Sequence, residues 1–396
     1  MSKKLLKIVI QEWKNASRDE RELSAAKEAG FSISVMAKGG AGDKFRKDSV
    51  AGFDVYRFST RPLGSNKYFS NLNRVVSVFK WAHYVKTFRA DVISGHDFIA
   101  LFIGYLSCWY KPKNRRPKLI YDSHEFELAR SLGRSKLTLF WIKHLERFLI
   151  KQCVFVIMIN DSIADEVSEI HKLKTRPIVI RNTPNLWNID EGVCEEIHRR
   201  WLEQMGMNQN TFIIMYHGYI AQNRGLEIII NVLTRTESIL LVIVGDAQEP
   251  EYREKILQMA KELAVSDRML VLPAVPLDEL WKYVGAADAG LVIHPAATRN
   301  YYYVLPNKFF ENIQAETPLI CSDLPELARL VKKYDIGLLV DPDNAESIRS
   351  AIEKLRNNKE IYRRFKGNLK IAKTELCWEK ERRTLIDAYS KLISRD

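Results

Sequence analysis

Short apolar runs rich in β-branched residues alternate with helical segments along the whole chain of 396 residues. Each run has the length of a buried strand, and most runs are followed by a segment with the apolar spacing of a helix. Alternation of this kind predicts α/β architecture, with one doubly wound sheet in each half of the chain. The predicted strands are 5–10, 31–36, 54–58, 91–94, 118–122, 154–159 and 177–180, then 212–218, 239–245, 269–273, 289–294, 318–322 and 337–340.

The length of the chain predicts two domains, because one hydrophobic core rarely serves so many residues. Residues 181–192, RNTPNLWNIDEG, are rich in Asn, Pro and Gly and carry no period, which is typical of a linker. We therefore place an N-terminal domain at 1–190 and a C-terminal domain at 191–377. Ligands bind beyond the carboxyl ends of the strands in such sheets, so we expect the two Rossmann-like domains to face each other across a cleft.

The helix predicted after Pro306 has a polar side that the core pattern does not explain. Asn307, Lys308 and Glu311 share this side, and apolar residues occupy the other. The free N–H groups of the first helical turn and the charge of Lys308 favour a phosphate, whereas Glu311 is suited to accept hydrogen bonds from two sugar hydroxyls. This pattern indicates a nucleotide site; the alternative is a surface helix with a solvated Lys and Glu.

The net charge of +12 is confined to the first half of the chain. Residues 1–190 hold 33 Lys and Arg against 19 Asp and Glu, or +14, and the remaining 28 against 30 give −2, so 14 − 2 recovers the total. This asymmetry indicates a polyanionic partner, either nucleic acid or an anionic membrane face. Segments 66–89, 101–118 and 130–152 mix aromatic and apolar residues with Lys and Arg, which suits a membrane interface, although core-packing helices with basic outer faces are the alternative.

Several protein classes are disfavoured by what the sequence lacks. It contains no GxxxxGK[ST] motif, and its glycine cluster at 39–42 follows the second strand, so a P-loop kinase or a classical dehydrogenase is not indicated. The five cysteines are scattered without CxxC spacing, which indicates neither a disulfide framework nor a zinc site. The first residues are too polar for a signal peptide, so we expect a cytoplasmic location.

Segments in the same order along almost the whole chain resemble the GT-B fold glycosyltransferases of the retaining family 4, of the bacterial surface-polysaccharide type. The resemblance implies a metal-independent transfer of a sugar from a nucleotide diphosphate, UDP or GDP, to a glycan or lipid-linked acceptor, without a cofactor. It also implies that residues 378–396 form a helix that crosses back to the first domain. The segments are SRDERELSAAKEAGFSISVMA, ADVISGHD, YDSHEFE, HGYIAQNRGLE, LLVIVGD, VPLDELWKYVGAADAGLVIHPA, LPNKFFENIQAETPLICSDLPE and CWEKERRTLIDAYSKL.

The resemblance assigns the donor to the C-terminal domain. Arg224 takes the position of the basic residue that clamps the diphosphate, and Glu311 that of the glutamate that binds ribose. Tyr303 stands where the family carries a second glutamate, and its ring either stacks on the sugar or base or packs within the fold. Backbone groups near 272–275 would meet the base. The other donor-side residues implied are Gly218, Asn223, Val275, Val304, Leu305, Asn307 and Lys308.

On the N-terminal side the resemblance gives His124, in YDSHE, contact with the transferred sugar. His124, Arg224 and Lys308 are thus the expected catalytic residues, the two cations stabilising charge on the leaving diphosphate. Family members of this kind are thought to use front-side attack with retention, and no metal is expected. The residues expected to line the acceptor side are Lys14, Arg18, His96 and Asp97.

Three other functions remain open at this point. The missing glutamate is compatible with a catalytically silent nucleotide-sugar-binding protein, and a sugar-nucleotide epimerase shares the same two-domain fold. Nucleic-acid binding explains the charge but none of the ordered motifs. If the transferase reading holds, we expect the basic N-terminal domain to lie on the inner face of the cell membrane as a peripheral protein, without a nucleic-acid partner.

Overall fold

The computed structural model of the chain describes residues 2–13, 17–40, 45–59, 70–129 and 135–394. The chain forms two compact units. Unit 1 comprises Met1–Asn182 and Glu381–Asp396, and unit 2 comprises Thr183–Lys380. Each unit contains one sheet with helices between its strands, so the prediction of two doubly wound α/β domains is confirmed.

Unit 1 contains an eight-stranded sheet in the order β3-β4-β2-β1-β5-β6-β7-β8, parallel except for the pairing of β3 with β4. The strand order runs in opposite directions from β1, so the topological switch point lies between β1 and β5. The strands are β1 (Lys4–Glu12), β2 (Ser32–Lys38), β3 (Phe45–Val50), β4 (Phe53–Phe58), β5 (Val92–His96), β6 (Lys118–Asp122), β7 (Cys153–Met158) and β8 (Ile178–Val179). The helices are α1 (Ser17–Glu28), α2 (Ser70–Val85), α3 (Asp97–Leu106), α4 (Lys136–Ile150) and α5 (Asp161–His171).

Strand β3 was not predicted, because its sequence FRKDSV lacks an apolar alternation and none of its residues is buried. It joins β4 through the two residues Ala51 and Gly52, which both have positive φ, at 50° and 77°. Two consecutive positive φ values are the mark of the tight hairpin turn that matches the twist of paired strands. Turn geometry and pairing therefore form this strand without help from a hydrophobic pattern.

Unit 2 contains a six-stranded sheet in the order β11-β10-β9-β12-β13-β14, parallel throughout. This is the order of a Rossmann sheet, with its switch point between β9 and β12. The strands are β9 (Phe212–His217), β10 (Ile239–Val244), β11 (Met269–Leu272), β12 (Ala289–Val292), β13 (Leu319–Ser322) and β14 (Gly337–Val340). The helices are α6 (Glu191–Gln204), α7 (Leu226–Leu233), α8 (Pro250–Glu262), α9 (Leu280–Gly285), α10 (Arg299–Tyr302), α11 (Asn307–Gln314), α12 (Pro325–Tyr334), α13 (Ala345–Asn357) and α14 (Lys359–Glu375), followed by α15 (Trp378–Ile393).

The two central strands of unit 2 form its core. Every residue of β9 and β10 is buried, as expected for parallel strands covered by helices on both faces. Even-numbered residues of β9 pack with α7 and α8, and Ile213 and Met215 pack with α6 and α9. A rigid, fully buried pair of strands thus fixes the positions of the loops that follow them.

The predicted domain boundary at residue 190 lies eight residues later than the boundary in the structure, which follows Asn182. Residues 183–190 form hydrogen bonds within unit 2. The backbone N–H of Trp187 donates to the side chain of Gln314 at 3.0 Å, and the N–H of Leu186 donates to Glu379 at 3.1 Å. Residues 183–190 have the composition of a linker, but these hydrogen bonds attach them to unit 2.

The last helix, α15, begins in unit 2 and continues in unit 1 from Glu381, as the tail prediction required. Tyr389 is 2% exposed, and its ring centroid lies 5.8 Å from those of Phe31 and Phe155. The ammonium of Lys3 donates to the carbonyl oxygen of Leu392 at 2.8 Å. The terminal helix is therefore part of the core of unit 1.

Within the described part of the chain, no helix combines the length and the hydropathy that crossing a membrane requires.

Tyr389→Ala should destabilise unit 1 by about 3–5 kcal/mol, because it removes a buried aromatic ring between two others. The measurement is urea unfolding of the full chain, with Asp387→Ala on the exposed side of α15 as the control, which should change stability by less than ~0.5 kcal/mol. Equal effects of the two substitutions would show that α15 is not packed into unit 1.

Candidate functional site

Unit 2 has a pocket of about 390 Å³ at the carboxyl ends of its central strands. The segments after β9, β10 and β11 line it together with the first turns of α11. This is the edge of the sheet at which doubly wound proteins bind ligands. The lining residues are Tyr216, His217, Gly218, Tyr219, Arg224, Val244, Gly245, Asp246, Ala274, Val275, Leu280, Pro306, Asn307, Lys308 and Glu311.

Glycine allows the loops at the base of this pocket to approach each other closely. A Cβ atom on Gly245 would lie 2.0 Å from the carbonyl oxygen of Gly218, so only glycine fits there. Gly225, with φ at +74°, separates Arg224 from α7, and a Cβ on it would lie 2.6 Å from Ile293. Arg224 thus extends from a loop whose backbone conformation is fixed.

Lys308 places an ammonium group inside the pocket wall. The residue is 6% exposed, and its Nζ has no hydrogen-bond partner among the described residues; it lies 4.1 Å from the ring centroid of Tyr216. Burial, and then the charge of Arg224, lower the pKa of Lys308 to about 7. A buried ammonium beside a second cation is costly unless an anion joins them.

Neighbouring groups do not neutralise these two cations. Arg224 forms no ion pair within the described residues, and Lys308 forms none either. His294, which follows β12, is fully buried; burial and the charges of Lys308 and Arg224 lower its pKa to about 2, so its ring is neutral. The pocket therefore has the electrostatics of an anion site, and the positive end of the α11 dipole adds to them, since Pro306, Asn307 and Lys308 line it.

Glu311 lies one turn further along α11, where the pattern predicted it. Its carboxylate oxygen Oε2 accepts a hydrogen bond from Nε2 of His217 at 2.9 Å. The His217 side chain is 3% exposed and that of Glu311 12%. The acid is thus held by the last residue of β9 while it lines the pocket.

The pocket includes six of the predicted donor residues: Gly218, Arg224, Val275, Asn307, Lys308 and Glu311. It does not include the other four. Asn223 lines a neighbouring hollow of about 340 Å³. Tyr303 directly follows α10, and its ring centroid lies 5.1 Å from that of Tyr302. Val304 and Leu305 pack against the apolar core around α11.

Two residues of the pocket, Asp246 and Tyr216, were not predicted from the sequence, and both stabilise the loops that line it. The carboxylate of Asp246 accepts a hydrogen bond from the N–H of Ala274 at 3.1 Å and so fixes the loop after β11. The hydroxyl of Tyr216 donates to the carbonyl oxygen of Tyr219 at 2.6 Å. The available signal was their position: Asp246 directly follows the predicted strand 239–245, and Tyr216 lies near the end of 212–218, at the edge of the sheet where ligands bind.

Unit 1 has its own polar cluster at the carboxyl ends of β5 and β6. The imidazole rings of His96 and His124 have centroids 3.8 Å apart. The N–H of His124 donates to Asp97 at 3.0 Å, and its Nε2 donates to Asp122 at 3.3 Å. Asp97 has a φ of 65°, a left-handed conformation uncommon outside glycine. The structure thus brings together three of the predicted residues.

His96 also bonds to Asp19 on α1. Its Nδ1 lies 3.1 Å from the Asp19 oxygen Oδ1. Although burial alone lowers it, the pKa of His96 is raised overall, because Asp19 accepts a hydrogen bond from the ring and adds its negative charge. His96 is 7% exposed, whereas the side chain of His124 is 20% exposed. Of the two, His124 is the more accessible to a ligand.

Arg18 does not have the open position expected of an acceptor-side residue. It is 9% exposed; its Nε donates to Glu22 at 2.8 Å and its Nη2 to the carbonyl oxygen of Ile180 at 3.2 Å. These bonds make Arg18 part of the buried network under the cluster, and its acceptor-side role stays a prediction. The fourth predicted residue, Lys14, lies outside the described residues.

A metal-like donor set exists in this cluster. Asp19, His96, Asp122 and His124 offer ligand atoms within 4.8 Å of one another. The ammonium of Lys7, 2% exposed, already hydrogen-bonds Asp122 and lies 3.1 Å from Asp19. Although burial opposes it, the surrounding carboxylates raise the pKa of Lys7 well above its usual value. The cluster thus contains its own cation, and a metal would have to displace it.

Each of the two α/β units has polar residues at the carboxyl ends of strands beside its switch point. This arrangement is typical of two-domain ligand-binding proteins of the doubly wound class. Comparison with known families specifies it further. Residues 21–185 match the model for Glycosyltransferase Family 4, and residues 198–371 match that for Glycosyl transferases group 1. Both units therefore carry glycosyltransferase domains, and the chain has the GT-B fold.

Relatives of known sequence or structure agree with this assignment. An uncharacterized glycosyltransferase of Methanocaldococcus jannaschii is 24% identical over 271 residues, which cover 67% of this chain and 66%, just under two thirds, of the relative. Sucrose-phosphate synthase from Thermosynechococcus elongatus superimposes with a TM-score of 0.73 at 17% identity over 100% of both chains. Anabaena HepE in complex with UDP gives 0.72 at 15% identity over 99% of both. These two structural likenesses show the fold.

Lys308→Met should stabilise unit 2, because between pH 7 and 10.5 the unfolded chain holds a proton that the native Lys308 does not. Native stability therefore rises with pH across this window and is lowest below about pH 7. We expect the variant to gain on the order of 2–4 kcal/mol at pH 7, from 1.36 kcal/mol per pKa unit discounted for relaxation, and almost nothing near pH 10.5.

Urea unfolding at several pH values measures the difference in unfolding free energy between Lys308→Met and the wild type. The exposed Lys261→Met is the control. A gap that does not change with pH would show that Lys308 is charged in the native pocket.

Proposed function

We propose that the protein transfers a sugar from a nucleoside diphosphate donor to a glycan or lipid-linked acceptor, in the synthesis of a cell-surface polysaccharide. The observation that carries the proposal is the unit 2 pocket, which Arg224 and Lys308 line without forming an ion pair among the described residues, with the carboxylate of Glu311 one helical turn from Lys308. A diphosphate requires the first feature and a ribose diol the second. UDP is the first candidate nucleotide, since Anabaena HepE of the same fold was crystallised with UDP and with UDP-glucose; GDP is the second.

Each part of the donor has a partner in this arrangement. Arg224, Lys308 and the N-terminus of α11 bind the diphosphate, and the carboxylate of Glu311 accepts hydrogen bonds from the ribose hydroxyls. Backbone groups of Ala274 and Val275 receive the base, in a loop that Asp246 fixes. Binding of the diphosphate raises the pKa of Lys308, because an anion beside the ammonium favours its charged form.

We propose His124 as the catalytic residue of unit 1, in contact with the transferred sugar. Its ring is oriented by the hydrogen bond to Asp122, and its backbone is fixed by Asp97. When the bond between the sugar and the diphosphate breaks, negative charge grows on the diphosphate, and Arg224 and Lys308 stabilise that charge. The leaving diphosphate accepts the proton of the acceptor hydroxyl. We propose front-side attack with retention, without a metal ion.

We propose that the protein binds an anionic membrane surface and encounters its acceptor there. Leu72, Val75 and Phe79 on α2 are 48–60% exposed and recur at helical spacing. On α4, Leu137, Phe140, Trp141 and Phe148 are 44–67% exposed. The described sequence of α2 has no acidic residue, and the acidic residue of α4, Glu146, is buried against Tyr121 and His171. Outward-facing aromatic and basic side chains suit the interface of an anionic bilayer at the inner face of the cell membrane.

UDP or GDP should raise the melting temperature of the full chain, and Glu311→Ala should weaken nucleotide binding about 10- to 100-fold, as expected for loss of hydrogen bonds to a charged group. The measurements are thermal shift and calorimetric titration, followed by a donor screen that detects released nucleotide. The exposed Glu251→Ala serves as the control and should bind like the wild type.

If neither nucleotide nor dTDP shifted the melting temperature, and Glu311→Ala left transfer from every donor unchanged, the proposal would be wrong. Binding without transfer or hydrolysis would favour a silent binding protein. Conversion of the donor sugar without loss of the nucleotide would favour an epimerase.

Replacing Phe140 and Trp141 together by Ser should reduce binding to vesicles of phosphatidylglycerol and phosphatidylcholine at least ~10-fold, because two exposed aromatic side chains no longer enter the interface. Flotation measures this, and Ile371→Ser, at an exposed apolar position of unit 2, is the matched control. Equal binding by all three proteins, or stronger retention on DNA than on anionic vesicles, would contradict membrane docking.

A further inference from the structure

The residue that ends β9, His217, lines the pocket and is hydrogen-bonded to Glu311, but it has been given no role in nucleotide binding so far. We propose that His217 is a positioning residue, whose hydrogen bond to Glu311 holds the carboxylate in the orientation that reads the ribose hydroxyls. The inference rests on the proposed function, because it concerns how the same pocket recognises a nucleoside diphosphate.

The geometry makes His217 a fixed point. It lies at the end of a strand in which all six residues are buried, and it is 2% exposed. Its Nε2 lies 2.9 Å from Oε2 of Glu311, and its Nδ1 has no hydrogen-bond partner among the described residues. Since a carboxylate only accepts, Nε2 carries the proton and donates it to Glu311. The bond uses one carboxylate oxygen and leaves Oε1 for a ligand.

Without such a bond, Glu311 has a competing partner. Lys308 and Glu311 are three residues apart on α11, the spacing at which Lys and Glu side chains commonly pair. They form no ion pair in the described structure. Lys308 instead lies over the ring of Tyr216, and Glu311 is hydrogen-bonded to His217. The last two residues of β9 thus keep the two opposite charges of α11 apart.

This separation has a functional meaning in the proposed pocket. If Glu311 turned towards Lys308 or Arg224, it would neutralise a cation needed by the diphosphate and would present no oxygen to the ribose. His217 would then control selectivity for the ribose diol through its hydrogen bond to Glu311. A residue that merely supports the fold would affect all nucleotides alike.

The test compares binding of UDP with binding of 2′,3′-dideoxy-UDP, or of the corresponding guanosine pair if GDP is the nucleotide that binds. Calorimetric titration is done on the full chain as wild type, His217→Ala and His217→Gln, whose amide N–H can replace the Nε2 donor. His198→Gln, a histidine of unit 2 whose Nδ1 lies 2.9 Å from the carbonyl oxygen of Ala286, is the matched control.

We expect the wild type to prefer UDP, and His217→Ala to lose ~10-fold of that preference while its affinity for the dideoxy nucleotide stays within about twofold. His217→Gln should recover part of the preference, and His198→Gln should behave as the wild type. Combining His217→Ala with Glu311→Ala should cause little further loss of preference, because the two residues act as one unit.

Equal weakening of both nucleotides by His217→Ala would show a structural role and overturn the inference, as would full preference in that variant. Equal affinity of the wild type for both nucleotides would also overturn it, since Glu311 would then not read the diol. Failure of the wild type to bind any nucleotide would instead count against the proposed function. If His217→Ala does not fold, the same comparison with His217→Gln decides: a preference between that of wild type and of Glu311→Ala supports the inference, and reduced binding of both nucleotides opposes it.

Discussion

The order of the strands in each sheet determines where the protein can bind a ligand. In each unit the sheet continues in opposite directions from its first strand, β1 or β9, so the loops after neighbouring strands diverge and leave a crevice at their carboxyl ends. In unit 2 the pocket lies at these ends, and the backbone of Gly218 lies so near Gly245 that a Cβ atom on Gly245 would not fit. In unit 1 the ends of β5 and β6 hold His96, Asp97 and Asp122. The chemistry of each unit follows from its topology.

The two sites differ in how they treat charge. The cluster of unit 1 is internally compensated: the ammonium of Lys7 is surrounded by Asp19, Glu22 and Asp122, and both histidines are hydrogen-bonded to aspartates. The pocket of unit 2 is not, because among the described residues neither Lys308 nor Arg224 forms an ion pair, and Glu311 is hydrogen-bonded to His217 instead. A compensated cluster is suited to orient neutral hydroxyl groups, whereas an uncompensated pair of cations is suited to bind a dianion. This contrast supports the proposal that unit 2 binds the donor.

The strands and the polar side of α11 could be predicted from the sequence, because both depend on the local pattern of apolar and polar residues. Burial on both faces gives continuous apolar runs, so thirteen of the fourteen strands, all but β3, were located to within a few residues, and the polar side of α11 showed Lys308 and Glu311 directly. Tertiary partners could not be predicted in the same way. Nothing local distinguishes Arg18, which is bonded to Glu22 and Ile180, from an exposed arginine at the start of a helix. His217 became visible only when β9 and α11 were placed side by side, because its partner is 94 residues away.

Hydrogen–deuterium exchange of the full chain, with and without saturating UDP or GDP, is the most direct test of whether the pocket of unit 2 binds the nucleotide. We expect slower exchange in residues 217–225, in the loop at 273–275 and at the start of α11, with the strand interiors unchanged because they are already protected. Slower exchange confined to unit 1, or no change anywhere at a nucleotide concentration that saturates related enzymes, would contradict the assignment of the donor to the pocket of Lys308, Arg224 and Glu311.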